Sequence, residues 1–227
     1  MPQPGFLFRP LPAGSRRRLL GTAALGALFA GRRGAYADEL VRTAAQTEGP
    51  FYPDRLPLDT DNDLLIINDS LSPADGAVTW LSGRVLAATG TPLRGALVEI
   101  WQCDARGAYL HSGSVNGARR DSHFQGYGRF VTGTDGRYGF RTIKPVAYPG
   151  RTPHIHVRIS RGDTHLLTTQ CYMRDAAGND ADGILRSLPA GPIRDSVLVD
   201  FRPLEGSRIG ELTAAFDVVL GLTPADG

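Results

Sequence analysis

The chain has 227 residues, of which 41% are hydrophobic and 21% are charged. These values are ordinary for one soluble globular domain and exclude a second core of comparable size. The formal net charge of +2 comes from a basic N-terminal segment and the rest of the chain is acidic, so charge gives no argument for a nucleic-acid partner and none is expected.

The first 37 residues differ in composition from the rest. They contain six arginines and no Asp or Glu, and without them the formal net charge falls to −4. A twin arginine lies within residues 15–20, an apolar run covers residues 19–30, and Ala35-Tyr36-Ala37 is a small-x-small cleavage site. The apolar run is too short to span a bilayer comfortably. This pattern predicts a twin-arginine export signal over residues 1–37, with a disordered basic tail on a cytoplasmic protein as the alternative.

The predicted signal has consequences for the remaining chain. We expect residues 38–227 to form one globular domain in the periplasm or outside the cell, with no stable membrane anchor once the leader is removed. Cys103 and Cys171 are the only cysteines. Outside the cytoplasm they are compatible with a disulfide or with two buried free thiols, and the sequence leaves both alternatives open.

The mature segment begins with irregular sequence. Residues 38–45 are compatible with a short helical turn, whereas the Gly and two Pro of residues 47–53 exclude a regular element there. Residues 80–87 and 96–102 are β-rich runs on either side of a Gly-Thr-Pro turn. We therefore predict an irregular start followed by an antiparallel hairpin.

The second half of the domain continues with short strands. Asp135-Gly136 lies between two β-rich tetrapeptides and is a strong hairpin signal. A loop with a short helix is expected near residues 182–187. Further β-rich runs cover residues 154–160, 166–172, 196–201 and 212–220. Many short strands at near-regular spacing predict an all-β fold, an antiparallel β-sandwich with long connecting loops and little helix.

Residues 154–160 carry the first candidate functional side chains. Because side chains alternate along a strand, His154 and His156 lie on one face and Ile155 and Val157 on the other. Two imidazoles on one face can bind one metal ion. The alternative is a half-buried strand whose polar face simply meets water.

Two tyrosines join the histidines as candidate ligands. They are Tyr148, six residues before His154, and Tyr109 in a Gly-Ala-Tyr segment. A phenol with a pKa of about 10 is a poor ligand until a strongly Lewis-acidic cation removes its proton. Hard phenolate oxygens favour ferric iron over zinc or copper(I). The alternative is that both tyrosines are ordinary aromatic residues of a sandwich.

Six short segments occur in a recognisable order, at residues 95–102 (Gly-Ala-Leu-Val-Glu-Ile-Trp-Gln), 107–109 (Gly-Ala-Tyr), 140–145 (Phe-Arg-Thr-Ile-Lys-Pro), 148–149 (Tyr-Pro), 151–156 (Arg-Thr-Pro-His-Ile-His) and 169–170 (Thr-Gln). Together they closely resemble the intradiol ring-cleavage dioxygenases, most closely the iron-binding type of protocatechuate 3,4-dioxygenase chain. The resemblance extends from about residue 47 to residue 220.

The resemblance implies a metal site. It makes four residues the protein ligands of one non-haem Fe(III) per chain, namely Tyr109, Tyr148, His154 and His156. It implies that Tyr148 and His156 are axial ligands and that Tyr109 and His154 are equatorial.

The resemblance also implies a reaction. The substrates would be a small catecholic aromatic and O2, and the ring would open between its two hydroxyl-bearing carbons to give a cis,cis-muconate-type product. Arg151 and Gln170 match the active-site Arg and Gln of the family, and Tyr148 would dissociate and accept a substrate proton. Arg151 would stabilise negative charge that develops on the ring. A homo-oligomer is compatible with the resemblance, and no nicotinamide or flavin is expected.

The chain departs from the family pattern in two respects. The segment between Tyr148 and His154 is several residues shorter than expected, and Gly150 stands where a bulky aromatic is common. Both departures predict a more open wall over the substrate. Arg119 and Arg120 are compatible with a contact to a substrate carboxylate or with a solvated pair on a loop.

Two other functions remain open at this point. One is a transthyretin-like β-sandwich that binds ligands or partners without catalysis, because the pattern of residues 83–102 also suits such domains. The other is a zinc hydrolase that uses His154 and His156 with a carboxylate such as Glu48 or Asp121.

Overall fold

The computed structural model describes residues 39–67 and 72–221. The export signal predicted over residues 1–37 lies outside the described residues and stays a prediction, as does the domain boundary that follows it. Within the described ranges, none of the helices has the length and apolar character needed to cross a membrane.

The regular structure of the described residues consists of ten strands, two one-turn helices and a single 3-10 turn at Gly117–Arg119. The strands are β1 (Val78–Ala87), β2 (Leu97–Trp101), β3 (Tyr127–Val131), β4 (Arg137–Ile143), β5 (His154–Arg161), β6 (Thr164–Met173), β7 (Leu198–Val199), β8 (Phe201–Pro203), β9 (Leu212–Ala215) and β10 (Val218–Leu220). The helices are α1 (Gly183–Arg186) and α2 (Pro192–Asp195).

The strands form two five-stranded sheets within the described chain. In the first sheet, β1 pairs with β4 along one edge and with both β9 and β10 along the other, and β8 pairs with β9. The second sheet has the order β3-β2-β5-β6-β7. The predicted all-β sandwich with little helix is confirmed. Most strand pairs are antiparallel, but both sheets are mixed, because β1 pairs in parallel with β9 and β10, and β6 pairs in parallel with β7.

Both hairpins predicted from turn residues are wrong. Strand β1 pairs with β4, whereas β2 pairs with β3 and β5, so the segments on either side of each turn lie in different sheets. The turns themselves exist: Gly136 has a φ of 70°, and its amide donates to the carbonyl of Gly133. A turn signal specifies local chain reversal, whereas burial of an apolar face decides which sheet each strand joins.

The core lies between the two sheets. Leu81 and Val85 of β1 face Ile155, Val157 and Ile159 of β5, and all five side chains are buried. Apolar side chains at every second position of β5 therefore fill the sandwich interior, as the strand alternation predicts. This places His154 and His156 on the outer face of the second sheet.

The N-terminal segment, residues 39–52, crosses both sheets without regular structure. The amide of Thr43 donates to the carbonyl of Val219 in the first sheet, and the amide of Gln46 donates to the carbonyl of Thr168 in the second. The helical turn predicted over residues 38–45 is wrong for the described residues 39–45. Hydrogen bonds to two sheets outweigh the weak local preference for a helix. The short helix predicted near residues 182–187 is confirmed as α1, whereas α2 was not predicted.

A close backbone contact fixes the junction between β9 and β10. At this junction the chain passes over Gly83 of β1, and a Cβ atom there would lie 1.9 Å from the carbonyl oxygen of Phe216 and 2.8 Å from the hydroxyl of Tyr138. The Tyr138 hydroxyl donates to the same carbonyl. Residues 212–220, predicted as one strand, are therefore split into two where the chain approaches β1 too closely to admit a side chain.

We predict that Gly83→Ala lowers the free energy of unfolding by more than about 3 kcal/mol, because the added methyl group collides with a carbonyl that the sheet holds in place. The matched control is Gly139→Ala on the paired strand, whose Cβ would have its nearest neighbour 3.9 Å away. We expect that control to stay within about 1 kcal/mol of wild type. Chemical denaturation measures both values, and equal losses in the two variants would contradict the prediction.

Candidate metal centre

Strand β5 brings two imidazoles together in a buried position. His154 and His156 are each 1% exposed, and their Nε2 atoms lie 3.2 Å apart. The alternative of a polar face that meets water is therefore wrong. Their burial results from loops and from the N-terminal segment, where a Cβ on Gly49 would lie 3.5 Å from Cε1 of His156.

Hydrogen bonding and burial keep the histidines in the neutral form that can bind a metal ion. The Nδ1 atom of His154 lies 2.7 Å from the carbonyl oxygen of Thr152, a contact that requires the proton on Nδ1 and leaves the lone pair of Nε2 free. Burial lowers the pKa of His154 to about 4, and it lowers the pKa of His156 well below the ordinary value, with a further contribution from His154. Both rings are therefore uncharged near neutral pH, as metal ligands must be.

Tyr109 approaches the histidines from the loop between β2 and β3. Its hydroxyl oxygen lies 3.4 Å from Nε2 of His154, and its ring is 2% exposed. Phe51 of the N-terminal segment stacks on this ring with the centroids 5.0 Å apart. Tyr109 thus has a fixed orientation toward the two imidazoles.

Tyr148 borders the same site from the loop between β4 and β5. Its ring centroid lies 5.3 Å from that of Tyr109 and 5.5 Å from that of His154. A tight turn holds it, because the amide of Arg151 donates to the carbonyl of Tyr148 and Gly150 within the turn has a φ of 81°. Tyr148 is half-buried, so it lies between the interior of the site and solvent.

Both phenols hold their protons unless a cation removes them. Burial raises the pKa of Tyr109 well above its ordinary value. Burial also raises the pKa of Tyr148, although the nearby charge of Arg151 opposes the increase. Only a strongly Lewis-acidic ion would convert these two side chains into phenolate ligands.

The spacing and chemistry of the donor atoms fit a trivalent transition metal. Two atoms bound to one metal ion at about 2.1 Å lie roughly 3 to 3.4 Å apart at ordinary bond angles. Nε2 of His154 meets this requirement with both neighbours, since it lies 3.4 Å from the hydroxyl oxygen of Tyr109 and 3.2 Å from Nε2 of His156. Nδ1 of His154 makes the outer hydrogen bond that a ligating imidazole commonly makes. Two phenols beside two neutral imidazoles suit Fe(III) better than a softer ion.

The carboxylates that a zinc hydrolase would need lie elsewhere. Asp121 accepts hydrogen bonds from the amides of Asp75 and His123, and Glu48 faces Arg158 at 3.6 Å. Across residues 39–67 and 72–221, no three His, Cys, Asp or Glu side chains form a group that could hold a metal ion. The candidate donor set is therefore the two histidines with the two tyrosines.

Arg151 and Gln170 meet directly beside Tyr148. The NH2 group of Arg151 donates to Oε1 of Gln170 and to the hydroxyl of Tyr172, and its NH1 group lies 3.4 Å from the hydroxyl of Tyr148. Nε of Arg151 donates to Asp182 at 2.9 Å. The structure thus brings all six sequence-predicted site residues into one region and leaves the role of each as a proposal.

Several residues of this region were not identified from the sequence. Trp101 stacks on the ring of His156 with the centroids 4.8 Å apart, and the two residues are paired in register between β2 and β5. Tyr172 lies on the same face as Gln170, two residues away, and donates to its Oε1. The two-residue period of a strand could have identified Tyr172, because it places this residue on the same face as Gln170. Asp182 lies on a loop with no local pattern that points to Arg151.

Other candidate residues lie away from the donors. The guanidinium of Arg120 donates to the carbonyl of Phe124, and the backbone carbonyl of Arg119 accepts from Arg106. Neither contact belongs to the donor set. Cys103 and Cys171 are buried free thiols, so the structure favours the second of the two alternatives left open, and burial raises the pKa of Cys103 to about 12.

A cleft leads to Tyr148 and Arg151 from the surface. It has a volume of about 270 Å³ and is lined in part by Ala147, Gly150 and Ala181. A Cβ atom on Gly150 would have no neighbour within 4 Å. The small residues at these positions agree with the open wall expected from the short segment before His154.

Two buried carboxylates hold the loop that carries Tyr109. Asp104 accepts from the amides of Arg106 and Ala108 on one side of its carboxylate and from the amide of Asp121 on the other. Asp121 in turn binds the amides of Asp75 and His123. Burial alone would raise the pKa of Asp121, but these two amides outweigh it and lower the pKa below the ordinary value.

Comparisons with known proteins identify the family to which the chain belongs. A profile of the Dioxygenase family matches residues 47–221. The chain is 39% identical over 150 residues to the protocatechuate 3,4-dioxygenase beta chain of Burkholderia cepacia, covering 62% of this chain and 63% of that one. It is 26% identical over 181 residues to the catechol 1,2-dioxygenase of Candida albicans, covering 72% of this chain and 55% of that one. The chain thus spans between about half and two thirds of the length of these curated relatives.

A solved structure is also similar. The dioxygenase domain of a dioxygenase carbohydrate-binding protein fusion from Streptomyces sp. SirexAA-E superposes with a TM-score of 0.61 at 31% identity. The superposition covers 80% of this chain and 99% of that domain.

We predict that Tyr109→Phe weakens Fe(III) binding at least about ten-fold, because it removes the hydroxyl that would become a hard anionic ligand once a metal ion displaces its proton. Titration of the metal-free protein, followed by metal content and by visible tyrosinate-to-iron absorbance, measures the effect. The matched control is Tyr138→Phe, which removes an equally buried hydroxyl that donates to the carbonyl of Phe216 instead. Unchanged iron content and absorbance in Tyr109→Phe would contradict its role as a ligand.

We predict that Asp121→Asn lowers the free energy of unfolding by about 1 to 3 kcal/mol at neutral pH, because its amide group cannot accept from both backbone donors. A carboxylate with a lowered pKa stabilises the fold above its ordinary pKa and loses that contribution as pH falls through its folded pKa. The difference between wild type and Asp121→Asn should therefore shrink from pH 6 toward pH 3, measured by denaturation at each pH. Exposed Asp180→Asn serves as the control, and a difference that does not vary with pH would refute the linkage.

Proposed function

Because the chain belongs to the intradiol ring-cleavage dioxygenase family, we propose that it is a non-haem Fe(III) dioxygenase that opens a catecholic ring between its two hydroxyl-bearing carbons. The product would be a cis,cis-muconate-type dicarboxylate. The substrates would be a small catechol and O2, and the chain would hold one Fe(III).

The observation that carries the proposal is the meeting of three donor atoms from distant parts of the sequence. The hydroxyl of Tyr109 and Nε2 of His156 lie 3.4 and 3.2 Å from Nε2 of His154, with Tyr148 on the adjacent side. Stacking on Phe51 holds the ring of Tyr109, and stacking on Trp101 holds the ring of His156. A sandwich that merely binds ligands has no physical need to place two phenols beside two buried, neutral imidazoles.

The four donors would hold the ion in a site from which Trp101 and the N-terminal segment exclude most water. When bound, Fe(III) supplies the Lewis acidity that makes a chelated catechol reactive toward O2. A catechol that binds as a dianion would give up two protons, one to a residue of the chain and the other to hydroxide, and the chain must also stabilise negative charge on the ring.

Tyr148 is the residue best placed to accept one of those protons. It is half-buried beside the cleft, and burial raises its pKa, so its phenolate oxygen is a strong base once formed. A catechol that enters through the cleft meets Tyr148 before it meets Tyr109, which is 2% exposed. We assign proton acceptance to the hydroxyl oxygen of Tyr148.

Arg151 would supply the fixed positive charge. Burial alone would lower its pKa, but the hydrogen bond to Asp182 and the neighbouring phenols outweigh burial and raise it. The guanidinium is therefore charged at every physiological pH. Held against Gln170 and Tyr172, it would stabilise negative charge on the substrate without a reorientation during the reaction.

The experiment is to load the purified chain with Fe(III), record its visible spectrum, add catechol, and follow O2 uptake with isotopically labelled oxygen. We expect a tyrosinate-to-iron band that shifts with catechol, and both labelled atoms in the ring-opened product. A colourless metal site would overturn the ferric centre. A coloured protein that takes up no O2 with catechol, protocatechuate or hydroxyquinol would overturn the enzymatic function and favour a binding module.

We predict that Arg151→Ala keeps its iron and its colour but lowers kcat at least about 100-fold, because it removes charge stabilisation and no metal ligand. Arg120→Ala is the matched control, since its guanidinium contacts only the carbonyl of Phe124 among the hydrogen bonds of the described residues. Steady-state O2 uptake with metal analysis of each variant tests this. Full activity in Arg151→Ala would remove it from the mechanism.

A further inference from the structure

A buried carboxylate lies directly behind Arg151. Asp182 is 1% exposed, and its Oδ2 atom accepts from Nε of Arg151 at 2.9 Å and from the amide of Thr152 at 3.0 Å. Its Oδ1 atom accepts from the amides of Ile184 and Leu185 at 3.0 and 2.9 Å. One side chain therefore joins the loop that precedes β5 to the first turn of α1.

The contacts of Asp182 determine how the guanidinium of Arg151 is oriented. A guanidinium is planar and carries five N–H groups. With Nε bound to Asp182, the NH2 group meets Gln170 and Tyr172, and one N–H of the NH1 group faces Tyr148 at 3.4 Å. The contacts to Asp182, Gln170 and Tyr172 therefore hold the plane of the guanidinium beside the hydroxyl of Tyr148.

Asp182 is itself held in place by the core. Helix α1, which it caps, buries Leu185 against Tyr172, Ala44 and Val197. Burial alone would raise the pKa of Asp182, but the amides of Leu185 and Thr152 together with Arg151 lower it, so the carboxylate stays ionised. The packing of α1 against β6 therefore fixes Asp182, and Asp182 in turn fixes the position of Arg151.

We propose that Asp182 is a positioning residue, which fixes the guanidinium of Arg151 beside Tyr148 so that its charge is directed at the substrate ring. The proposal rests on the function proposed for Arg151. It goes beyond that function by assigning the orientation of the catalytic charge to a residue 31 positions further along the chain.

The geometry of an Asn side chain separates the two roles of Asp182. Asn is an N-cap residue as effective as Asp, so in Asp182→Asn the amide oxygen can keep the bonds to Ile184 and Leu185. Its NH2 group would then face Nε–H of Arg151 and the amide of Thr152, and a donor would meet two donors. The variant should keep α1 and lose the anchor of Arg151.

The first measurement is hydrogen exchange of the Arg151 Nε–H group by NMR, on the metal-free, full-length chain. We expect slow exchange in wild type, assigned by its loss in Arg151→Lys, and exchange at least ten-fold faster in Asp182→Asn. The second measurement is turnover of catechol by the Fe(III)-loaded chain. We expect kcat and kcat/KM to fall together by at least ten-fold, with iron content and the resting visible band unchanged.

The control weakens the same helix from its other end. In Ser187→Ala the hydroxyl that donates to the carbonyl of Ile184 is removed, and no contact of Arg151 changes. We expect a lower Tm with slow Nε–H exchange and kcat within two-fold of wild type. If Asp182→Asn does not fold, Asp182→Ser is measured in the same way, because a serine hydroxyl caps the helix but is too short to reach Nε.

The outcomes are distinct. Slow exchange or wild-type kcat in the Asp182 variant would overturn the positioning role, and so would equal losses in Ser187→Ala. If wild type turns over none of catechol, protocatechuate and hydroxyquinol, the proposed function fails whatever the exchange rates show. If wild type is active and Asp182→Asn differs from it in neither measurement, only the positioning role fails.

Discussion

The two-residue period of β5 is the constraint on which the rest of the molecule depends. Ile155, Val157 and Ile159 must fill the space between the sheets, so His154 and His156 are directed to the opposite face. That face is also buried, because loops and the N-terminal segment cover it. One strand thus supplies both the hydrophobic centre of the sandwich and two nitrogen donors, and neither set can be moved by one position without displacing the other.

Desolvation then prepares the donor set before any ion arrives. The same burial that lowers the pKa of each imidazole raises the pKa of each phenol, so all four side chains are neutral in the described structure. A neutral set can be buried at moderate cost, whereas four charged groups could not. The proposed iron would change this state by removing two protons, which gives the site a preference for a strongly acidic cation without a single carboxylate ligand.

The sequence was most informative where chemistry and period coincide. His154 and His156 were identified by alternation, and Tyr109 and Tyr148 by the order of several motifs. Sheet membership was not predictable, because the residues around Gly136 specify a turn and contain no information about which apolar faces meet across the core. Asp182 was not predictable for a similar reason. Its partner Arg151 lies on a different loop, and only the packing of α1 against β6 brings the two together.

The N-terminal segment does more than connect the two sheets. The carbonyl of Thr47 accepts from the side chain of Gln170, and Gln46 donates to Tyr172, so this segment supports the same group of residues that holds Arg151. Phe51 adds the ring that packs on Tyr109. A protease that trimmed the chain as far as residue 52 would leave most of the strands in place, yet it would uncover the imidazoles and release Gln170. Residues 39–52 therefore form one wall of the candidate metal centre, and a fusion partner or tag is best attached ahead of them.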